Sequence, residues 1–419
     1  MRNGITFVHS ADLHMDSLFK TKGHLPEELL ERLRAGTFEA FDRLIQVCIK
    51  EEADFLLIAG DVYHEELRSL KAQVHVRRGF EKLQKHGIDV FVSFGNHDFT
   101  SGTEHAVSFP ENVFLFESER VQEVPFYKQG ELLAHIYGFS YETRVVKEHK
   151  AQEFQKTGHP PYHIAMLHGS LESNTDHDVY APFTLEELKR TGMDYWALGH
   201  IHKREILSAD PLIIYPGNTQ GRSQKEQGPK GCYVIEEQEG EWVHRFQPLH
   251  SFVYESVTVP VPPLENPNEL ERVLENVKHH VAESGGSVML SVTIEGSGHQ
   301  WKRWWSSGVM DEWKDIVNEN EDVTEDGWVW IEDVRLDERI SWTEEDLHGP
   351  HFTGEFLKKV NEADDEALDS WLAPLYDHRK VSRFVPSLNE KEQAEVLEKA
   401  KAVAVNQLLG SGDDGFDHT

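Results

Sequence analysis

The sequence predicts an α/β protein, extended by a smaller α+β domain and a helical C-terminal segment. Three observations predict it. Short continuous apolar runs alternate with helical stretches through the first half. A short polar block follows directly on most of these runs. A Pro-rich stretch, Val259-Pro260-Val261-Pro262-Pro263-Leu264 through Asn266-Pro267, then separates this half from a stretch of different character.

The elements justify themselves in chain order. Ile5-Thr6-Phe7-Val8 precedes Asp12-Leu13-His14. A helix is expected from about Phe38 to Glu52, and Phe55-Leu56-Leu57-Ile58-Ala59 then leads into Gly60-Asp61-Val62-Tyr63-His64. A second helix fits about Leu67 to His86, closed by Gly87, a favoured C-terminal stop. Val90-Phe91-Val92-Ser93-Phe94 precedes Gly95-Asn96-His97-Asp98. Ile164-Ala165-Met166-Leu167 ends on His168-Gly169, and Tyr195-Trp196-Ala197-Leu198 on Gly199-His200-Ile201-His202. Runs of this kind are strands buried on both faces, and their C-terminal ends are where an open α/β sheet collects a ligand. Leu212 to Tyr215, Gly231 to Ile235 and Trp242 to Phe246 continue as strands, the last two joined by a polar hairpin containing Gly240.

Carboxylate, imidazole and amide oxygen at several strand ends form a ligand set for divalent Mn, Zn or Fe, and no thiol joins them. Two such metals, about 3.5–4 Å apart, need one carboxylate between them. Asp61, on a middle strand, is the expected bridge. Asp12, His14 and His202 are assigned to one metal, and Asn96, His168 and His200 to the other. His200 and His202 need a local bend to face one cluster. His97 is kept off the metals as a general acid oriented by Asp98, with His64 on the other side of the same phosphate. Singly, Asp-x-His or His-x-His is more often a loop or a core histidine. The weight lies in all five blocks recurring in order, each at a strand end.

These blocks resemble the calcineurin-like metallophosphoesterases. Gly60-Asp61-Val62-Tyr63-His64 is similar to the form found in SbcD-type DNA-repair nucleases. Ser10 to Ser17 and Tyr215-Pro216-Gly217-Asn218-Thr219-Gln220-Gly221-Arg222 resemble the YhaO-like branch, and the resemblance covers roughly the first 250 residues. It implies a two-layer β-sandwich flanked by helices, two Mn²⁺ ions and hydrolysis of DNA phosphodiesters, with His97 as the catalytic histidine. Arg222 suits a phosphate contact through its planar fork. Asp16 departs from the family pattern, as a partner of His14 or simply loop. A docked SMC-like ATPase and a homodimer are further implications.

The expected division is a nuclease domain over 1–255, an α+β capping domain over 256–345, a helical segment over 346–410 and a disordered tail over 411–419. In the capping domain a helix fits Glu269 to Glu283, strands fit Ser287 to Glu295 and Trp328 to Leu336, and a Trp-rich helix fits Trp301 to Val317. The C-terminal helices are expected over Pro350 to Val360, Asp364 to Leu375 and Asn389 to Leu409.

At 419 residues and 38% hydrophobic, the chain can build two or three domains. No apolar run approaches the roughly 20 residues of a membrane span, and the N-terminus lacks a signal-peptide pattern. Cys48 and Cys232 sit in apolar patterns and read as reduced core thiols, which points to the cytoplasm. The net charge of −32 disfavours nucleic-acid binding by bulk electrostatics. Lys302-Arg303 among Trp301, Trp304 and Trp305 is the best aromatic and cationic candidate for such contact, although core packing and surface charge explain it as well. Three functions are therefore carried forward: a metal-dependent DNA exonuclease or endonuclease, a phosphodiesterase or phosphatase for small substrates such as cyclic nucleotides, and a non-catalytic scaffold.

Overall fold

Strand pairing sets the architecture. The computed structural model describes residues 4–19, 22–64, 68–101, 107–173, 179–262, 264, 266–296, 304, 307–338, 371, 373, 396, 397 and 400. Strands β1 (Thr6–Ser10), β2 (Phe55–Ala59), β3 (Asp89–Ser93) and β4 (Val113–Leu115) run parallel. On the other side of β1, β11 (Gly231–Gln238) and β12 (Glu241–Pro248) add antiparallel strands, giving a first sheet in the order β12-β11-β1-β2-β3-β4. The second sheet follows the order β5-β6-β7-β8-β10-β9, with β5 at Gln122–Lys128, β6 at Glu131–Gly138, β7 at Tyr162–His168, β8 at Tyr195–Gly199, β9 at Glu205–Ala209 and β10 at Leu212–Tyr215. Its four inner strands are parallel. The result is the expected α/β sandwich.

Period-two alternation explains how the layers hold. Phe7, Phe55, Leu57 and Phe91 of the first sheet pack with Ile164, Met166, Tyr195 and Ala197 of the second. The residues between them, Val8, Leu56, Ile58, Val90 and Val92, point the other way into a core shared with helices α1 (Glu27–Lys50) and α2 (Leu70–Lys85). Each such side chain contributes about 1.5–3 kcal/mol when fully buried. The outer face of the second sheet carries Leu167, Trp196, Leu198 and Ile213 against Phe154 and Leu188, the latter on the short helix α3 (Leu185–Arg190).

Helix α1 starts at Glu27, well before the expected Phe38. The charged run from Glu27 to Arg34 obscures an apolar stripe, Leu29, Leu30 and Leu33, which is buried against Phe252, Tyr254, Met289 and Trp328. Helix α2 starts at Leu70 because the Ser69 hydroxyl caps it, accepting from the Ala72 amide at 3.1 Å.

The chain divides into two compact units. One comprises Met1–Ser256, Asn276–Ser291 and Asn320–Glu332, the other Val257–Glu275, Val292–Glu319 and Asp333–Thr419. Strands β13 (Phe252–Pro260), β14 (Ser287–Gly296) and β15 (Val329–Glu338) form a third sheet in that order. Helix α4 (Asn268–Ala282) matches the expected Glu269–Glu283, and α5 covers Val309–Asn318. Trp301 to Arg303, Trp305, nearly all of the expected C-terminal helices and the tail lie outside the described residues. Among those described, no helix is long and apolar enough to cross a membrane.

Candidate metal centre

Because β1, β2, β3, β7 and β8 belong to parallel sets, their C-terminal ends open on one edge of the sandwich. The first three polar blocks come from the first sheet and the last two from the second. Asp12 N–H donates to the Gly60 carbonyl at 3.1 Å, His14 N–H to Asp61 at 3.0 Å and Met15 N–H to Val62 at 2.9 Å, so the first two loops are laced together. Asp12, His14, Asp61 and His200 all have positive φ, at 53°, 43°, 52° and 94°. Non-glycine residues pay about 1–3 kcal/mol each for such conformations, which persist where the surroundings enforce them and cluster at functional sites. At His200 this turn supplies the bend that lets His200 and His202 face one cluster.

Three glycines make room for the cluster. An added Cβ at Gly95 would lie 2.3 Å from Asp61 Oδ1 and 2.6 Å from His168 Nε2, and one at Gly199 would lie 1.8 Å from the Ala59 carbonyl oxygen. At Gly60 it would meet His168 Nδ1 at 2.1 Å.

Two groups of side chains meet around Asp61. In the first, His14 Nε2 lies 3.0 Å from His202 Nε2, 4.0 Å from Asp12 Oδ1 and 3.7 Å from Asp61 Oδ2, while His202 Nε2 lies 3.7 Å from Asp12 Oδ1. In the second, Asn96 Oδ1 is 3.0 Å from His168 Nε2 and 3.2 Å from His200 Nδ1, and His168 Nε2 is 3.5 Å from Asp61 Oδ2. All seven expected ligands are thereby brought together, with Asp61 reaching both groups.

The donor set fits divalent cations. His168 Nδ1–H donates to the Ala59 carbonyl at 3.0 Å, which leaves a lone pair on Nε2 facing the Asn96 oxygen. Two acceptors at that distance repel unless a cation lies between them. Asp12 and Asp61 are both about 1% exposed. Burial, followed by repulsion from Asp61, pushes the Asp12 carboxyl well above its ordinary range. At Asp61 burial acts upward too, but the imidazoles of His168 and His97 and the His97 N–H outweigh it and hold the carboxyl low. Burial, the largest cause in each case, lowers the basicity of His14, His168 and His202, so all three favour the neutral form a ligand requires.

The roles around His97 need a correction. The Asp98 carboxylate does not orient the His97 ring. Its Oδ1 accepts from Gly95 N–H at 2.7 Å and its Oδ2 from Val62 N–H at 2.7 Å and Tyr63 N–H at 3.2 Å. Asp98 thus ties the Gly95–Asp98 turn to the loop after β2. Burial and the nearby Asp61 raise its carboxyl to about 7. The His97 ring is held instead by the His64 carbonyl, which accepts from Nδ1–H at 3.0 Å. The two imidazoles stack, with centroids 5.8 Å apart and planes at 15°. Asp16 does not hold His14 either, since among the described residues His14 Nδ1 has no hydrogen-bond partner.

Sequence reasoning missed Glu226. Its Oε1 accepts from His202 Nδ1–H at 2.7 Å, and its Oε2 accepts from the Arg222 backbone N–H at 2.6 Å and Asn218 Nδ2 at 3.0 Å. Burial alone would raise this carboxyl, but the hydrogen bond and charge of His202, then Arg222, hold it well below the usual range. Arg222 Nη1 donates to His64 Nδ1 at 2.7 Å. A lone Glu in an irregular loop carries no local signal.

A family model described as calcineurin-like phosphoesterase matches residues 5–204. The chain is 38% identical to the "uncharacterized metallophosphoesterase YhaO" of Bacillus subtilis over 409 residues, covering 97% of this chain and 99% of that one. It is 27% identical to the "DNA double-strand break repair protein Mre11" of Archaeoglobus fulgidus over 244 residues, 52% of this chain and 51% of that protein. The protein of the same name from Methanocaldococcus jannaschii is 27% identical over 247 residues, 55% of this chain and 62% of that protein.

Proposed function

This chain belongs to the calcineurin-like metallophosphoesterase family, and from that premise we propose that it is a metal-dependent nuclease hydrolysing phosphodiester bonds in DNA. The convergence of six ligand-type side chains on Asp61, itself the seventh, carries the reading. Asp12, His14 and His202 would hold one cation, Asn96, His168 and His200 a second, with Asp61 serving both. When bound, two divalent cations, Mn²⁺ in this reading, polarise the phosphoryl group and supply a nucleophile at neutral pH.

The chain's own residues do the rest. Strained backbone at Asp12, His14, Asp61 and His200 preorganises the ligands. His97 is bound through Nδ1–H, which makes Nε2 the nitrogen that exchanges a proton with the leaving oxygen. His64 lies against it and binds the same phosphate, with Arg222 behind. Asp98 fixes the loop on which both depend.

DNA as substrate is supported by similarity to proteins named for double-strand break repair. An SMC-like ATPase partner and a homodimer join this reading as what the resemblance to SbcD-type nucleases implies, and a cytoplasmic setting as what the reduced thiols Cys48 and Cys232 point to. A second reading, a phosphodiesterase or phosphatase for small substrates, is favoured by the net charge of −32, which repels a long polyanion. The purified protein with Mn²⁺ should be offered end-labelled duplex and single-stranded DNA beside a chromogenic phosphodiester. Cleavage of DNA, lost in Asp61→Ala, supports the nuclease. Cleavage of the small ester alone, unchanged by adding the ATPase, favours the second reading.

A further inference from the structure

The segment after β10 holds Arg222 and Glu226, four residues apart, and both are largely buried, with side-chain exposures of 15% and 14%. Glu226 Oε1 meets His202 Nδ1 at 2.7 Å and Arg222 Nη1 meets His64 Nδ1 at 2.7 Å, while Arg222 Nη2 lies farther from His202 Nδ1, at 3.3 Å, so the carboxylate is the nearer partner of that ring. The two contacts have opposite consequences. A carboxylate can only accept, so His202 must carry its proton on Nδ1 and leave a lone pair on Nε2. A guanidinium can only donate, so His64 must keep its lone pair on Nδ1 and carry its proton on Nε2.

We propose that Arg222 and Glu226 form a positioning pair that sorts these two imidazoles by tautomer, His202 as a ligand and His64 as a hydrogen-bond donor. The inference rests on the reading of His202 as a metal ligand. It also reassigns Arg222 from direct phosphate contact to holding His64. The pair is itself locked. The same Glu226 carboxylate accepts from the Arg222 backbone and from Asn218, and the Arg222 Nη2 lies 3.7 Å from Glu226 Oε1. Lys230 Nζ donates to the His202 carbonyl at 3.1 Å and steadies the backbone below the ring.

His97 completes the contrast. Its Nδ1–H is given to the His64 carbonyl, so the stacked pair holds opposite tautomers, with the proton on Nε2 in His64 and on Nδ1 in His97. One ring presents a donor where the other presents a lone pair. Neutral imidazoles in water favour neither arrangement strongly enough to guarantee this division without outside partners.

The test is nitrogen-15 spectroscopy of the histidine rings in metal-free protein, with signals assigned by single His→Gln substitutions. Wild-type protein should place the His202 proton on Nδ1 and the His64 proton on Nε2. The reverse at either ring overturns the proposal, whatever any variant does. Glu226→Ala should move the His202 proton toward Nε2 and weaken Mn²⁺ binding, read by calorimetry, by about 10–100-fold. Glu226→Gln, whose amide oxygen still accepts, should retain the wild-type tautomer and most of the affinity. An Ala variant that folds and keeps both wild-type tautomer and affinity also overturns it. None of these readings depends on substrate, so a failed nuclease assay leaves them separately decidable.

Discussion

Asp61 and His168 stand 3.5 Å apart, Oδ2 to Nε2, although one follows β2 in the first sheet and the other ends β7 in the second. The site is thus a seam between two sheets, and its geometry depends on how the sandwich packs. Asp61→Ala should remove the carboxylate common to both ligand groups. Phosphodiesterase activity should fall by more than about 100-fold, beyond the loss typical of an outer partner. Metal content measured by mass spectrometry should fall with it.

The His97 ring gives its Nδ1–H to the His64 carbonyl, and its contact with Asp61 is made by its backbone N–H at 3.0 Å. His97→Ala should therefore keep bound metal while lowering kcat by about 10²–10⁴-fold, the usual contribution of a general acid or base. Full activity in a variant with normal metal content would remove His97 from the reaction.

Gly95→Ala places a methyl 2.3 Å from Asp61 Oδ1. Asp61 is buried and cannot retreat without disturbing His168. Metal affinity should drop while the fold survives, since the added methyl meets the ligands and not the core between the sheets. Unchanged calorimetric affinity would show that the cluster can yield.

His9 is buried beneath the site, where its Nε2–H donates to the Leu198 carbonyl and its Nδ1 accepts from the Tyr195 hydroxyl. Burial lowers its pKa from 6.5 to about 3. The unfolded chain therefore takes up a proton that the folded chain refuses. The stability His9 contributes is complete above pH 6.5 and is lost as pH falls from there toward 3. His9→Gln should flatten the fall in Tm between pH 6.5 and 4. An unchanged slope there would assign the acid sensitivity to other histidines.

Much of this was legible in the chain, for definable reasons. Continuous apolar runs ending in Gly or a polar block gave β1, β2, β3, β7 and β8, because strands buried on both faces have no other pattern. That spacing also pointed to Asp61 and to the six other ligand candidates now found around it. The start of α1 was obscured because Leu29, Leu30 and Leu33 sit among acidic and basic residues, and the partners that bury them lie far along the chain. Asp98 beside His97 suggested a side-chain pair, yet its oxygens found backbone N–H groups of Gly95, Val62 and Tyr63. Adjacency in sequence does not say which donors a folded loop will present. Glu226 was invisible for the same reason, since its importance comes from where His202 happens to lie.

The most direct test of the account is anomalous scattering from crystals grown with Mn²⁺. Two peaks are predicted, one among Asp12, His14 and His202, the other among Asn96, His168 and His200, with Asp61 reaching both. No peak, or one held by other side chains, would contradict a two-metal phosphoesterase centre in this chain.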